Sequence, residues 1–316
     1  MLKTITTTIN LTKNINSKFL VGIFWKILSC AAFAGVNIIV RYLSGSSSLP
    51  IEQKLSTFVI MFFQNLIGTV LLLPFILKDL KNTNIFNKLI TSKNCNLHLL
   101  RIIIAIFGIA LWYFSLTKMP VPQVVAISFI SPILTIIGAS ILLKEKISFN
   151  RHIAIFLSLT GGFLITRPDL AINLKLFDWV AIFPICATLI FAADNLITKK
   201  LFIFKECPKL TTIYLLLLIT PCSLVFALLN NSFVIPVTSN FLPLLALGFL
   251  GALAHFSFNK SLETAEITLI MPYGITKLIF NSILSYLVFT EIPQTFSIWL
   301  GITIISLSTI LLLKHK

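Results

Sequence analysis

Acidic residues are scarce. Ten Asp and Glu stand among 316 residues, against 25 Lys and Arg, and all charged types together make up 11% of the chain. A soluble domain carries about a quarter charged residues, so this chain cannot coat a water-facing surface. With 57% hydrophobic residues and a mean hydropathy of +0.99, lipid must be the solvent for most of it. Five cysteines (Cys30, Cys95, Cys186, Cys207, Cys222) show neither a CxxC nor a metal-ligand spacing with the four histidines, so neither a disulfide nor a metal is expected. There is no phosphate-cradling glycine loop, no HExxH and no nucleophile with a spaced His and acid, and no stretch reads as a soluble nucleotide domain. An enzyme and an ATP-driven pump are therefore disfavoured, and no cofactor is called for. The net charge of +15 lies between apolar runs rather than on one face, which excludes a nucleic-acid binder.

What is there is long apolar runs. A membrane helix needs about 20 mostly apolar residues. Such runs fall at 21–43, 55–77, 99–117, 121–142, 150–167, 176–197, 210–230, 241–260, 266–289 and 294–313. Residues 1–18 are polar and basic and read as a cytoplasmic N-terminal tail, and 314–316 as a cytoplasmic C-terminus. With the N-terminus inside, nineteen of the 25 Lys and Arg, Lys26, Arg101 and Lys199 included, fall on inside segments, five fall outside, and Lys277 is left in mid-membrane. That asymmetry obeys the positive-inside rule and predicts ten spans with both ends cytoplasmic.

Two stretches resemble each other. Ile127–Glu145 reads ISFISPILTIIGASILLKE and Met271–Glu291 reads MPYGITKLIFNSILSYLVFTE, each an apolar run closed by Glu, a short turn and another run. Upstream, ALWYFSL (Ala110–Leu116) matches ALAHFSF (Ala252–Phe258). Five spans per half is an odd number, so the halves must be inverted, an arrangement found in secondary transporters with the solute site near the midplane. The expected fold class is all-α integral membrane, with ten transmembrane helices as two inverted five-helix repeats, 19–167 and 168–313. Small residues at packing spacing (Gly248 and Ala252, Ala105 and Gly108, Thr188 and Ala192) predict close helix approach.

Lys277 is the sharpest chemical signal. A charge at the bilayer centre costs at least about 2.5–3.5 kcal/mol and usually faces a cavity or a partner. At about 100° per residue, Tyr273, Lys277 and Asn281 share one helical face and are expected to bind a polar solute. Asp194 is expected to neutralise Lys277, attract a cationic solute or take a coupling proton; an interfacial place beside Lys199 is the plainer alternative. Ser128, Ser131 and Thr135 form a stripe with Pro132 among them, a pattern of site lining or of hydroxyls bonded back to their own helix. His255 is a candidate proton relay or a packing residue. Trp112 is a candidate stacking surface or a belt residue. Asn37, Gln64 and Asn65 read as interhelical glue. Glu145 and Glu291 read as helix-ending residues that fix a turn.

These motifs resemble the drug/metabolite transporter superfamily, in its EamA-type carriers, over nearly the whole chain. SFISPILTIIGASILLKE is similar to the first-repeat signature, PYGITKLIFNSILSYLVFTE to the second, and AADNLITKK to the end of the sixth helix. Among members, the chain is most similar to the S-adenosylmethionine uptake carriers of rickettsiae. The resemblance implies a secondary transporter of the bacterial inner membrane working by alternating access, with S-adenosylmethionine uptake as first expectation. Export or import of amino acids or related metabolites on the same fold is the alternative. One position departs: the pattern of those carriers has an acidic residue where Lys277 stands. The expected partners are a small-molecule substrate and the lipid bilayer; a homodimer is left open.

Overall fold

A computed structural model describes residues 2–45, 54–80, 94–128, 130–145 and 179–290, with scattered helical positions in 153–161 and 300–307. All regular structure among the described residues is helical. In order, α1 is Leu2–Ser44, α2 Thr57–Leu80, α3 Cys95–Lys118, α4 Val121–Ile127 and α5 Ile130–Leu142. Then come α6 Ile182–Ile203, α7 Pro208–Leu229, α8 Thr238–Thr264, α9 Ile267–Ile270, a 3₁₀ segment Met271–Ile275 and α10 Thr276–Phe289. Helices dominate because a backbone in lipid has no water to satisfy its N–H and C=O groups.

Among the described residues, seven stretches are long and apolar enough to cross a membrane, from Phe19–Ser44 in α1 to Ile267–Phe289. They fall on seven of the ten runs read from hydropathy. The fourth run, 121–142, is helical but divided into α4 and α5. The fifth and tenth lie largely outside the described residues, as does Glu291. The basic segment 2–18 continues α1 as helix rather than standing apart from it. Large apolar side chains such as Phe107, Ile141, Leu229, Leu242 and Leu287 stand more than half exposed. Spread over every long helix, they make an outer surface suited to lipid, and the chain is a multi-pass membrane protein.

The inner surface is drawn from both ends of the chain. Val36 and Leu43 of α1, Ile60 of α2, Leu116 of α3, Ile219 of α7 and Leu247 of α8 belong to one buried cluster. The packing partners follow an exchange. α1 lies against α8 and α10, while α6 lies against α3 and α5; α2 and α7 lie against each other. Close approach depends on small residues. A Cβ at Gly248 would sit 2.5 Å from Ile67 Cβ, and one at Gly108 2.8 Å from Ile190 Cγ2.

The helix ends repeat the exchange in detail. Arg41 of α1 donates to the carbonyls of Leu116 and Met119, which close α3. Lys199 of α6 donates to those of Leu262 (2.8 Å) and Ala265 (2.7 Å), which close α8. These carbonyls have no partner within their own helices. Helices α5 and α10 also stop alike, with Lys144 (φ 56°) after α5 and Thr290 (φ 55°) after α10, both left-handed. In each case a Glu follows. Glu145 turns back to accept the N–H groups of Ile267 (3.2 Å) and Thr268 (3.0 Å), the first residues of α9. Its expected role at a turn is thereby extended: it caps another helix.

Candidate functional site

Two helices break where the chain carries proline. Pro132 has no N–H to return to the carbonyl of Ser128; α4 ends at Ile127 and α5 begins at Ile130, and the Ser131 N–H takes that carbonyl at 3.0 Å. Pro272 likewise opens the 3₁₀ segment Met271–Ile275 ahead of Lys277. The two breaks face one cavity of about 170 Å³. Irregular backbone is tolerated at membrane depth where it lines such a space.

The cavity wall is polar at points and aromatic between them. One face of α1 contributes Lys26, Ser29, Cys30, Phe33 and Asn37, at helical spacing. Trp112 and Tyr113 of α3, Phe191 of α6 and Phe258 of α8 supply further rings. Of the expected site residues, Lys277, Asp194, Ser128, Ser131, Trp112 and His255 all line this space.

Lys277 has no carboxylate partner among the described residues. Its Nζ lies 4.5 Å from the Trp112 ring centroid and 5.4 Å from that of Phe33. A ring face returns about 0.5–2 kcal/mol to a cation, so two together offset the lower range of the insertion cost quoted above. Trp112 is fixed for this contact. Its Nε1–H donates to Asn37 Oδ1 (3.0 Å), Asn37 donates to Asn281 Oδ1 (3.0 Å), and Asn281 donates to the carbonyl of Lys277 (2.6 Å). The relay ties α1, α3 and α10 together, and Trp112, only 4% exposed, is no lipid-belt residue.

Three of the expected residues stand in other contacts. Asn281 stands behind the wall, holding Lys277 and Asn37, rather than on it. Tyr273 packs against Phe19 with ring centroids 6.4 Å apart and is not among the lining residues. The place of Tyr273 follows from the 3₁₀ segment: its tighter turn rotates Tyr273 off the face that regular α-helical spacing would share with Lys277. Asp194 does not pair with Lys277. Its Oδ1 accepts from Arg101 Nε at 3.1 Å, and Arg101 also donates to the carbonyl of Thr211 (3.1 Å).

Ser128 spends its hydroxyl on the carbonyl of Val125 (2.6 Å). Thr135 instead accepts from Asn195 Nδ2 (3.3 Å), a contact between α5 and α6. His255 meets the Phe33 ring edge to face, centroids 5.1 Å apart. The Tyr113 hydroxyl donates to Gln64, whereas Asn65 donates to its own helix at Met61.

Arg101 and Lys26 were missed. The charge asymmetry counts both on inside segments, yet both are buried on the cavity wall. Each stands inside an apolar run, but near its end rather than at its centre as Lys277 does. With them the wall holds, among the described residues, three nominal cations, Lys26, Arg101 and Lys277, against one carboxylate, Asp194.

The chain is similar over nearly its whole length to proteins named as transporters. A riboflavin transporter of Vibrio cholerae is 32% identical, with 91% of each chain covered. A riboflavin transporter of Brucella anthropi is 26% identical, covering 92% of this chain and 97% of the relative. The S-adenosylmethionine uptake transporter of Rickettsia felis is 26% identical over 94% of each. A solved structure described only as the crystal structure of a protein superposes with a TM-score of 0.70 at 14% identity, covering 94% of this chain and 97% of that one, which shows a shared fold. Residues 20–167 match the model of the EamA-like transporter family. With the long relatives covering both halves, the chain belongs to the EamA-like transporter family, within the drug/metabolite transporter superfamily, and is a transporter rather than an enzyme.

Proposed function

We propose that the protein is a secondary carrier that takes up a flat heteroaromatic metabolite across the bacterial inner membrane. It works by alternating access between two inverted five-helix halves, 19–167 and 168–313, with both termini cytoplasmic. The reading rests on one observation above all: a cavity beside two broken helices, walled by Phe33, Trp112, Tyr113, Phe191 and Phe258 around buried polar groups. Rings stack on rings with an offset or edge-on preference that aligns a flat solute. Within this site Lys277 contacts the solute, Trp112 is the stacking surface, and His255, Ser128 and Ser131 supply hydrogen-bonding groups. Tyr273 and Asn281 act from behind the wall. The exchange of packing partners between α1 and α6, and between α3 and α8, supports the inverted halves.

Both solutes named for the relatives carry a flat ring system. S-adenosylmethionine adds a sulfonium, and Lys26 and Lys277 repel a cation, so a riboflavin-like ring is placed ahead of it. The test is uptake and counterflow in proteoliposomes with labelled riboflavin and labelled S-adenosylmethionine. Saturable movement of a ring-bearing solute supports the proposal. Movement of aliphatic amino acids, with neither ring compound transported or competing, overturns it. The proposal needs only one chain, and a homodimer is compatible with it.

A further inference from the structure

The cations on the cavity wall are unequally partnered. Arg101 is engaged by Asp194 and by the Thr211 carbonyl. Lys26 is only 6% exposed, yet its described contacts are the Phe258 ring face at 4.3 Å and the Met271 sulfur at 4.0 Å. Among the described residues, the Lys277 ammonium meets ring faces alone. A ring face returns only part of the hydration that a buried ammonium has given up.

The space around Lys26 is arranged for a further group. One turn along the same face of α1, Ser29 is 1% exposed and lines the cavity, and its Oγ has no hydrogen-bond partner among the described residues. A buried hydroxyl left without a partner is uncommon. Across from them, Gly274 of the unwound segment leaves Lys26 open on that side: a Cβ there would lie 3.6 Å from Lys26 Cε and 3.9 Å from Nζ. Lys277 follows Gly274 by three residues and lines the same cavity. Two ammonium groups and a hydroxyl therefore line one cavity, beside the unwound segment and among the aromatic walls.

We propose that Lys26, Ser29 and Lys277 form an anion subsite, so that the transported solute carries a carboxylate or phosphate beside its ring. This rests on the carrier reading above and sharpens its substrate class. The anion would complete the coordination of both lysines, while the ring lies against Trp112. An acidic group on the solute would also neutralise the excess positive charge of the wall as the cavity closes.

The test uses reconstituted full-length protein and two solute pairs. Riboflavin against riboflavin 5′-phosphate probes a phosphate; decarboxylated S-adenosylmethionine against S-adenosylmethionine probes a carboxylate. In at least one pair the anion-bearing member should have a KM lower by about tenfold, the scale of one charge-assisted hydrogen bond. The pair that shows the preference identifies the anion. Lys26→Met should bring that ratio towards one, and Lys26→Arg should restore it, with thermal melting in detergent confirming that both variants are folded. Equal handling of both members by the wild type overturns the subsite and leaves the carrier reading standing. A Lys26→Met variant that weakens both members alike also overturns the subsite. Failure of all four compounds to move overturns both proposals.

Discussion

Lys277 sits where two demands meet. The bilayer interior disfavours its charge, and the Trp112 and Phe33 ring faces return part of that cost. An ammonium held by rings rather than by a carboxylate stays available to a solute. Lys277→Ala should abolish transport while membrane insertion and melting temperature persist, measured by uptake alongside size-exclusion profiles. Arg101 presents the opposite case, because Asp194 is committed to it at 3.1 Å. Removing one member of a buried pair strands the other, at about 3–5 kcal/mol. Arg101→Met should therefore destabilise strongly, and adding Asp194→Leu should recover much of the loss. A double-mutant cycle on thermal unfolding checks this; simple additivity would mean that the two side chains are not coupled. Lys277 was legible in the sequence because it interrupts an apolar run at its centre. Arg101 and Lys26 were not, because each lies near the end of a run, where a loop charge reads the same. The pairing of Asp194 was out of reach for a different reason: it depends on how α3 meets α6.

The helices carry their own instructions at their ends and breaks. Pro132 and Pro272 mark both interruptions, and the sequence showed both prolines. It did not show that the second interruption would be a five-residue 3₁₀ segment, and that is why Tyr273 left the face assigned to it. The caps were equally hidden. Arg41 and Lys199 look like loop cations, whereas each closes the C-terminus of a neighbouring helix. By these caps Leu116 corresponds to Leu262, one helical turn beyond its match in the ALWYFSL and ALAHFSF pairing. Two predictions belong here. Gly248→Leu should destabilise by about 1–3 kcal/mol, the usual cost of overpacking, because its Cβ alone would lie 2.5 Å from Ile67 Cβ; unfolding in denaturant reads this out. Thr290→Gly should stabilise by about 1 kcal/mol, since a β-branched residue stands in the left-handed region where glycine carries no penalty. A lowered melting temperature would show that the Thr290 side chain holds that turn in some other way.

The molecule as a whole was legible in class before it was legible in mechanism. Few charges, long runs and an asymmetric distribution of Lys and Arg specify a multi-pass helical protein, and the two Glu-terminated stretches point to a repeated architecture. The cavity was not legible, because it forms where α1, α3, the break before α5, α6, α7, α8, the 3₁₀ segment and α10 converge, from residues scattered between Lys26 and Lys277. Cys30 gives that convergence a natural probe, being buried on the wall with its thiol near the Gly274 carbonyl at 3.8 Å. In a carrier that opens to either side in turn, a membrane-permeant thiol reagent should modify Cys30 slowly, and saturating solute should slow it further; a rate indifferent to every transported solute would place the solute elsewhere. The most direct measurement is uptake of labelled riboflavin and S-adenosylmethionine by proteoliposomes holding either the wild-type chain or Lys277→Ala. Saturable uptake of a ring-bearing solute that disappears in the variant is the predicted result. Undiminished uptake by Lys277→Ala, or wild-type uptake no greater than that of empty liposomes, contradicts it.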